Sequence, residues 1–143
     1  MILQTERLTL RDFTAEDWRA VWEYESHPQH VRFYPWTERR QEDVQDLVNQ
    51  FVAWQGQSPR AKYQLAVTLK SSGRLIGTCG VRRQRADAHE AELGYEIAHD
   101  HWGQGYASEA AQAMLTFAFE ELGVHRIWAH CINENVPSVR VLQ

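Results

Sequence analysis

The segment "RLTLRDF" sets Leu8 and Leu10 against Arg7, Thr9 and Arg11, the two-residue period of a strand buried on one face. Thr14 follows as an N-cap, Asp17 stands where a short capping-box acid would sit, and Phe13 and Trp18 are spaced as a hydrophobic staple. Trp18, Val21 and Trp22 then form the apolar stripe of a first helix. "SHPQHVRFYPW" reads as a loop, and Val44, Leu47, Val48 and Phe51 mark a second helix. "KYQLAVTL" alternates at Tyr63, Leu65, Val67 and Leu69; "KSSG" carries turn chemistry and "RLIGTCGVR" returns as the other arm of a hairpin. In "AELGYEIA", Leu93, Tyr95 and Ile97 share one face and Glu92 and Glu96 the other. A strong amphipathic helix follows, with Ala107, Ala111, Met114, Leu115, Ala118, Phe119 and Leu122 on its apolar side and Gly123 just past its end. "HRIWAHCI" is a further strand, and "NENVPSVRVLQ" begins another helix. This order predicts an α/β domain of the α+β type, a mixed sheet with helices on its faces.

The 143 residues fit one domain, 1–143, and show no repeat or Pro/Gly linker. A net charge of −4 argues against a nucleic-acid partner, which would need a basic face. No run is long and apolar enough for a membrane span, and "MILQTERLTL" lacks the core of a signal peptide, so the expectation is a cytoplasmic chain without a membrane partner. Cys79 and Cys131 both lie in apolar strand-like runs and read as reduced and buried. No His/Cys cluster has zinc spacing, so no metal is expected.

"HDHWGQGYASEA" places Gly103 and Gly105 just before the strong helix. The first N–H groups of a helix have no backbone partner, and the helix dipole adds positive charge there. Bare glycines allow a phosphate to approach those donors, and Ser108 could add a hydroxyl. Strand, glycine turn and helix together describe a pyrophosphate cradle, but a Gly-x-Gly before a helix is equally a plain turn. It is neither a dinucleotide fingerprint, which needs a third glycine, nor a P-loop, which needs Gly-Lys-Ser/Thr.

"GYEIAHDHWGQGYASEA" resembles motif A of the GNAT N-acetyltransferase superfamily, with Trp102 in the first position of its Arg/Gln-x-x-Gly-x-Gly/Ala core. The closest likeness is to the RimJ/RimL-type branch, which is also similar to "LQTERLTLRDFTAEDW" and "NENVPSVRVLQ" at the two ends. The resemblance implies a mixed, mostly antiparallel sheet flanked by helices and lacking the usual last two strands, acetyl-CoA as donor, and transfer of acetyl to a primary amine, either a protein N-terminal α-amine or a small-molecule amine. It assigns the CoA diphosphate to the turn formed by Trp102, Gly103, Gln104, Gly105, Tyr106, Ala107 and Ser108. The pantetheine arm would lie along the backbone of Glu96, Ile97 and Ala98, and the thioester where that strand parts from "IWAHCI".

Glu92 is the first candidate for the general base, with His130 second; Glu96 reads as structural in its side chain. Many superfamily members carry an acidic-proton Tyr seven residues after the asparagine matching Asn135, but that position here is Leu142. Ser138 is therefore the candidate partner of the CoA sulfur and Asn135 its orienter. Asn135 and Pro137 also suit the first turn of a helix, and both roles can hold together. The family normally continues into two more strands, so the resemblance implies a C-terminally short chain with "RIWAHCI" left at an open edge. Such an edge invites a homodimer, strand exchange or loss of stability. A CoA-binding module with weak catalysis is the alternative to an active enzyme.

Overall fold

Alternation and helical spacing become eleven strands and helices, and the computed structural model describes residues 1–130 and 139–142. In chain order they are β1 (Ile2–Gln4), β2 (Leu8–Asp12), α1 (Trp18–Glu25), α2 (Pro28–Phe33), α3 (Gln41–Gln55), β3 (Lys62–Leu69), β4 (Leu75–Arg82), β5 (Glu90–Ile97), α4 (Tyr106–Glu121), β6 (Arg126–His130) and β7 (Val139–Leu142). The entry to α1 is fixed as its sequence suggests. The Asp17 carboxylate accepts the Thr14 N–H at 2.7 Å and receives Arg11 at both oxygens, at 2.8 and 3.0 Å.

The strands lie side by side in chain order, β1 through β7. Every neighbouring pair is antiparallel except β5 and β6, which run parallel because α4 crosses between them. On one face α4 lays Ala110, Met114 and Ala118 against Leu10, Leu65, Ile76, Leu93, Ile97 and Ile127. On the other, α1 and α3 bring Val21, Val44, Val48 and Phe51 over Ala66 and Ala98. The central strands β3 and β4 are covered on both sides, so five of the residues of β3 in a row are buried and the alternation there is one of partners, not of exposure. Cys79 sits in this core, and burial pushes its thiol up to about 12, which leaves it unreactive.

Three expectations are corrected. "SHPQHVRFYPW" is not all loop: Pro28 occupies the first turn of α2, and the His27 ring accepts the Gln29 N–H at 3.2 Å as its cap. The chain at 139–142 is strand, not helix, because Val139 and Val141 alternate with Arg140 and Leu142 and suit a pleated ladder. That strand, β7, pairs with residues 127–130 of β6, so the β6 edge expected to lie open is covered. The short β1, paired with β2, gave no clear periodic signal.

Candidate active site

The turn before α4 is built from two positive-φ glycines, Gly103 at 75° and Gly105 at 83°. Gly105 is the N-cap of α4, and no side chain caps the helix. The N–H groups of Tyr106, Ala107 and Ser108 therefore open outward from a dipole end, unscreened by any side chain of the cap. A Cβ built on Gly103 would meet nothing within 4 Å, so the space over the turn is clear for a ligand. Those features fit a diphosphate.

Arg7, which the sequence did not single out, locks this turn. Its Nε donates to Glu109 Oε1 at 2.7 Å, its Nη1 to the Gln104 carbonyl at 2.9 Å, and its guanidinium lies 4.3 Å from the Tyr106 ring centroid. Glu109 also accepts from the Arg7 N–H at 2.9 Å and from the Thr5 hydroxyl. Burial opposes the charge on Glu109, but hydrogen bonds from Thr5 and Arg7 outweigh it and hold the carboxyl below its ordinary range. The one acid in the first turn of α4 is thus neutralised by Arg7 beside the proposed anion position.

Among the described residues, the pairing of β5 with β6 ends before the turn is reached. Their pairing runs from Glu90 with Arg126 to Leu93 with Ala129. Past Leu93, β5 keeps its partner β4 as far as Ile97. The Ala98 N–H is bound to the Ile76 carbonyl at 2.7 Å, so by alternation the backbone groups of Glu96 and Ala98 face β4 and those of Ile97 face the gap. The Ile97 carbonyl accepts the Trp102 indole N–H at 2.6 Å. Trp102 also meets Phe33 edge-on, 4.7 Å between centroids, and so ties the glycine turn to the end of β5.

On the α1/α3 side of the sheet, a cavity of about 510 Å³ reaches the same stretch of β5. Glu92, Gly94 and Glu96 line it from the sheet, with Phe51, Trp54 and Trp36 opposite. Glu92 is held at Oε1 by Arg82 Nη2 at 2.6 Å. Gly94 gives Arg82 its path: a Cβ there would stand 2.7 Å from Nη2. Glu92 therefore lies on the last paired stretch of β5, level with Trp128 of β6 and open to the cavity.

Deeper in the same wall, Glu25 of α1, His30 of α2 and Glu96 cluster out of solvent. Glu96 accepts from the Tyr24 hydroxyl at 3.0 Å, and His30 Nε2 stands 3.5 Å from its other oxygen. Arg39 Nε lies 3.3 Å from Glu25 Oε1. Burial first, and then the negative Glu96 beside it, push Glu25 up to about 10 against an ordinary 4.5. Glu96 is also penalised by burial, yet Glu25, His30 and Tyr24 together bring it below its ordinary value. A proton on Glu25 thus turns a repulsion between two carboxylates into a hydrogen bond.

This has a measurable consequence for stability. The folded chain keeps a proton on Glu25 that the unfolded chain releases, so stability falls as pH rises between 4.5 and about 10. Glu25→Gln preserves the shape without the proton and is expected to flatten that decline. Urea midpoints across this range check it; parallel declines in the two proteins would remove Glu25 as the cause.

The structure places Glu92, Glu96, Ile97 and Ala98 on or just past β5 and the run from Trp102 to Ser108 at the start of α4; the backbone groups of Glu96 and Ala98, expected beside the pantetheine arm, are turned to β4, and those of Ile97 face away from it. His130 ends β6, its backbone paired with Val139. Asn135, Ser138 and Cys131 lie outside the described residues. Leu142 falls in β7, opposite Ile127. Sequence reasoning missed Arg7, Arg82, Glu25 and His30. The signal for Glu25 was present: it continues the buried stripe of Val21 and Trp22 at helical spacing, where a charge has no place without partners.

A glycine-capped crossover helix between parallel strands, in a sheet of this order, fits the scaffold of the family that the sequence resembles. The model of the acetyltransferase (GNAT) domain matches residues 7–143. The uncharacterized N-acetyltransferase p20 of Bacillus licheniformis is 35% identical over 98% of this chain and 78% of its own length. A GNAT-family acetyltransferase from Bacillus anthracis has a crystal structure with TM-score 0.78 and 33% identity, covering 96% of this chain and 78% of that one. The RimL ribosomal L7/L12 alpha-N-protein acetyltransferase, solved in complex with coenzyme A, shares the fold at TM-score 0.77 and 16% identity, covering 94% and 77%. The chain belongs to the GNAT acetyltransferase family, and it is an N-acetyltransferase. Among the described residues, no helix is long and apolar enough to cross a membrane.

Proposed function

We propose that this enzyme transfers acetyl from acetyl-CoA directly to a primary amine held in the cavity beside β5. The open, uncapped start of α4 at Gly103 and Gly105, which Trp102 ties to the end of β5, is the observation that carries this reading. The RimL structure was solved with coenzyme A, and its shared fold supports the same donor here. Bound there, acetyl-CoA supplies an activated thioester.

This chain's residues have three tasks. The N–H groups of Tyr106, Ala107 and Ser108 receive the diphosphate, with Arg7 holding the turn in shape. The gap-facing backbone at Ile97 lines the pantetheine path, with Trp102 fixing the end of that path. Glu92 takes the proton that the amine must lose, directly or through one water. Near pH 7 that loss costs about 1.4 kcal/mol for an α-amine and about 4.6 kcal/mol for an alkyl amine, so the base matters more for the latter. Asn135 and Ser138 keep, on the resemblance alone, the role of orienter and proton donor to the departing sulfur.

The test is thiol release from acetyl-CoA across a panel of N-terminal peptides, amino acids, aminoglycosides and alkyl amines. Amine-dependent release with a matching acetylated product supports the reading. Coenzyme A binding without release on any amine favours a binding module instead.

A further inference from the structure

Strand pairing sets one row of side chains across four strands of the sheet. Lys62 of β3 stands opposite Arg82 of β4, Arg82 opposite Glu92 of β5, and Glu92 opposite Trp128 of β6. Residues opposite one another share a face. All four line a second cavity, of about 710 Å³, which has Trp54, Arg82 and Glu92 in common with the first. The two cavities therefore meet at Glu92.

The charges of the second cavity do not balance. Arg82 is matched by Glu92 at 2.6 Å, Arg85 by Asp87 at 3.0 Å and Glu90 by Arg126 at 3.7 Å. Two cations are left over. Arg83 is only 5% exposed, and its guanidinium donates to the carbonyls of Arg60, Ala61 and Ala86, with no carboxylate paired to it among the described residues. Lys62 likewise makes no ion pair among the described residues; its Nζ lies 5.0 Å from the centroid of the Trp54 ring. Like charges directly opposite on neighbouring strands are destabilising, and a buried charge ordinarily has a counter-charge. A chain of net charge −4 thus gathers uncompensated positive charge in one cavity.

An anion in the cavity relieves both penalties. Arg82 is committed to Glu92 and Arg83 is anchored by three carbonyls, so the ammonium of Lys62 makes the direct contact and Arg83 adds positive potential behind it. One such ammonium suits one carboxylate. Lys62 and Glu92 stand two strand spacings apart, about 10 Å between Cα atoms, and both side chains reach into the same cavity. We propose that Lys62, backed by Arg83, binds a carboxylate of the acceptor, so that the substrate is an amino carboxylate with its two charged ends about 5–10 Å apart. An α-amino acid carries its amine and carboxylate too close together to fill both positions. Trp54, which lines both cavities, gives the carbon chain between the two ends an apolar face. The position of the amine rests on the reading of Glu92 as the base; the anion subsite itself does not.

Two measurements test it. The first is kcat/KM for linear ω-amino acids of four to eight carbons, each against the ω-amino amide of equal length, which keeps the shape and lacks the charge. The expected result is at least a tenfold preference for an acid of intermediate length, carried by KM. Lys62→Met keeps a side chain against Trp54 without the charge and should bring the ratio to within about twofold of one. Lys62→Arg should retain the preference. Both variants are checked for folding by circular dichroism. An unchanged ratio in folded Lys62→Met, or acetylation of acid and amide with equal kcat/KM in the native protein, overturns the proposal.

The second is calorimetric titration of the protein with the ω-amino acid alone, and with its amide, at low and high salt. The acid should bind at least tenfold more tightly than the amide, and the difference should shrink as salt rises and vanish in Lys62→Met. This readout needs neither donor nor transfer. Charge-dependent binding without acetylation would therefore remove the catalytic reading and leave the subsite standing. Equal affinity for acid and amide, or no binding of the acid, overturns the proposal.

Discussion

Glu92→Gln is expected to lower kcat by about 10² to 10⁴, the usual worth of a positioned general base, with little change in acetyl-CoA affinity. Glutamine keeps an oxygen for Arg82, which now binds Glu92 Oε1 at 2.6 Å, so the wall of the cavity stays in place. What is lost is the charge that accepts a proton. The loss should be larger for an alkyl amine than for an N-terminal α-amine, because the former starts further from its neutral form. Turnover within twofold of the native enzyme on both amines would reduce Glu92 to an anchor for Arg82.

Gly105→Val is expected to weaken acetyl-CoA binding at least tenfold while leaving far-UV circular dichroism intact. A side chain at φ 83° is strained by roughly 1–2 kcal/mol. Its Cβ would stand in contact with Arg7 Nη2 at 3.4 Å, and the branched methyls beyond it would crowd the guanidinium that holds Gln104 and Glu109. Gly103→Ala separates strain from obstruction. Position 103 has a φ of 75° but no protein atom within 4 Å of an added Cβ. Strain there weakens the free and the bound enzyme alike, whereas a methyl group in the ligand's space weakens only binding. A fall in coenzyme A affinity beyond the fall in stability would show that the space belongs to the ligand. Native affinity in both variants would sink the cradle.

Much of the scaffold was readable because its signals are local. The period of two in "KYQLAVTL" and the apolar stripe of α4 each report a face without reference to the rest of the chain. The glycine turn was readable as a helix start that no side chain caps. The deep half of the cavity and the lock on the glycine turn were not, because Tyr24 and Glu96 meet across 72 positions and Thr5 and Glu109 across 104. Those meetings follow from sheet order, which no short window contains. Helix α2 escaped notice for a different reason: its six residues are too few to show a helical period. The C-terminal segment misled because an Asn-Pro opening is good helix-start chemistry, while Val139 to Leu142 carry a strand pattern too short to outweigh it.

The attachment of Arg7 to the α4 cap also sets an order of events during folding. Glu109 is 102 residues further along the chain, so the proposed donor site remains unfinished until α4 is made. Strands β2, β3 and β4 can pair, and α1 and α3 can cover them, before α4 has left the ribosome. The proposed donor face is consequently late to mature, and its last joint is made between segments translated 102 residues apart. An N-terminal extension that pulls on Thr5 or Arg7 would be felt at the helix cap, where the distance along the chain is greatest and the distance in space is a single hydrogen bond.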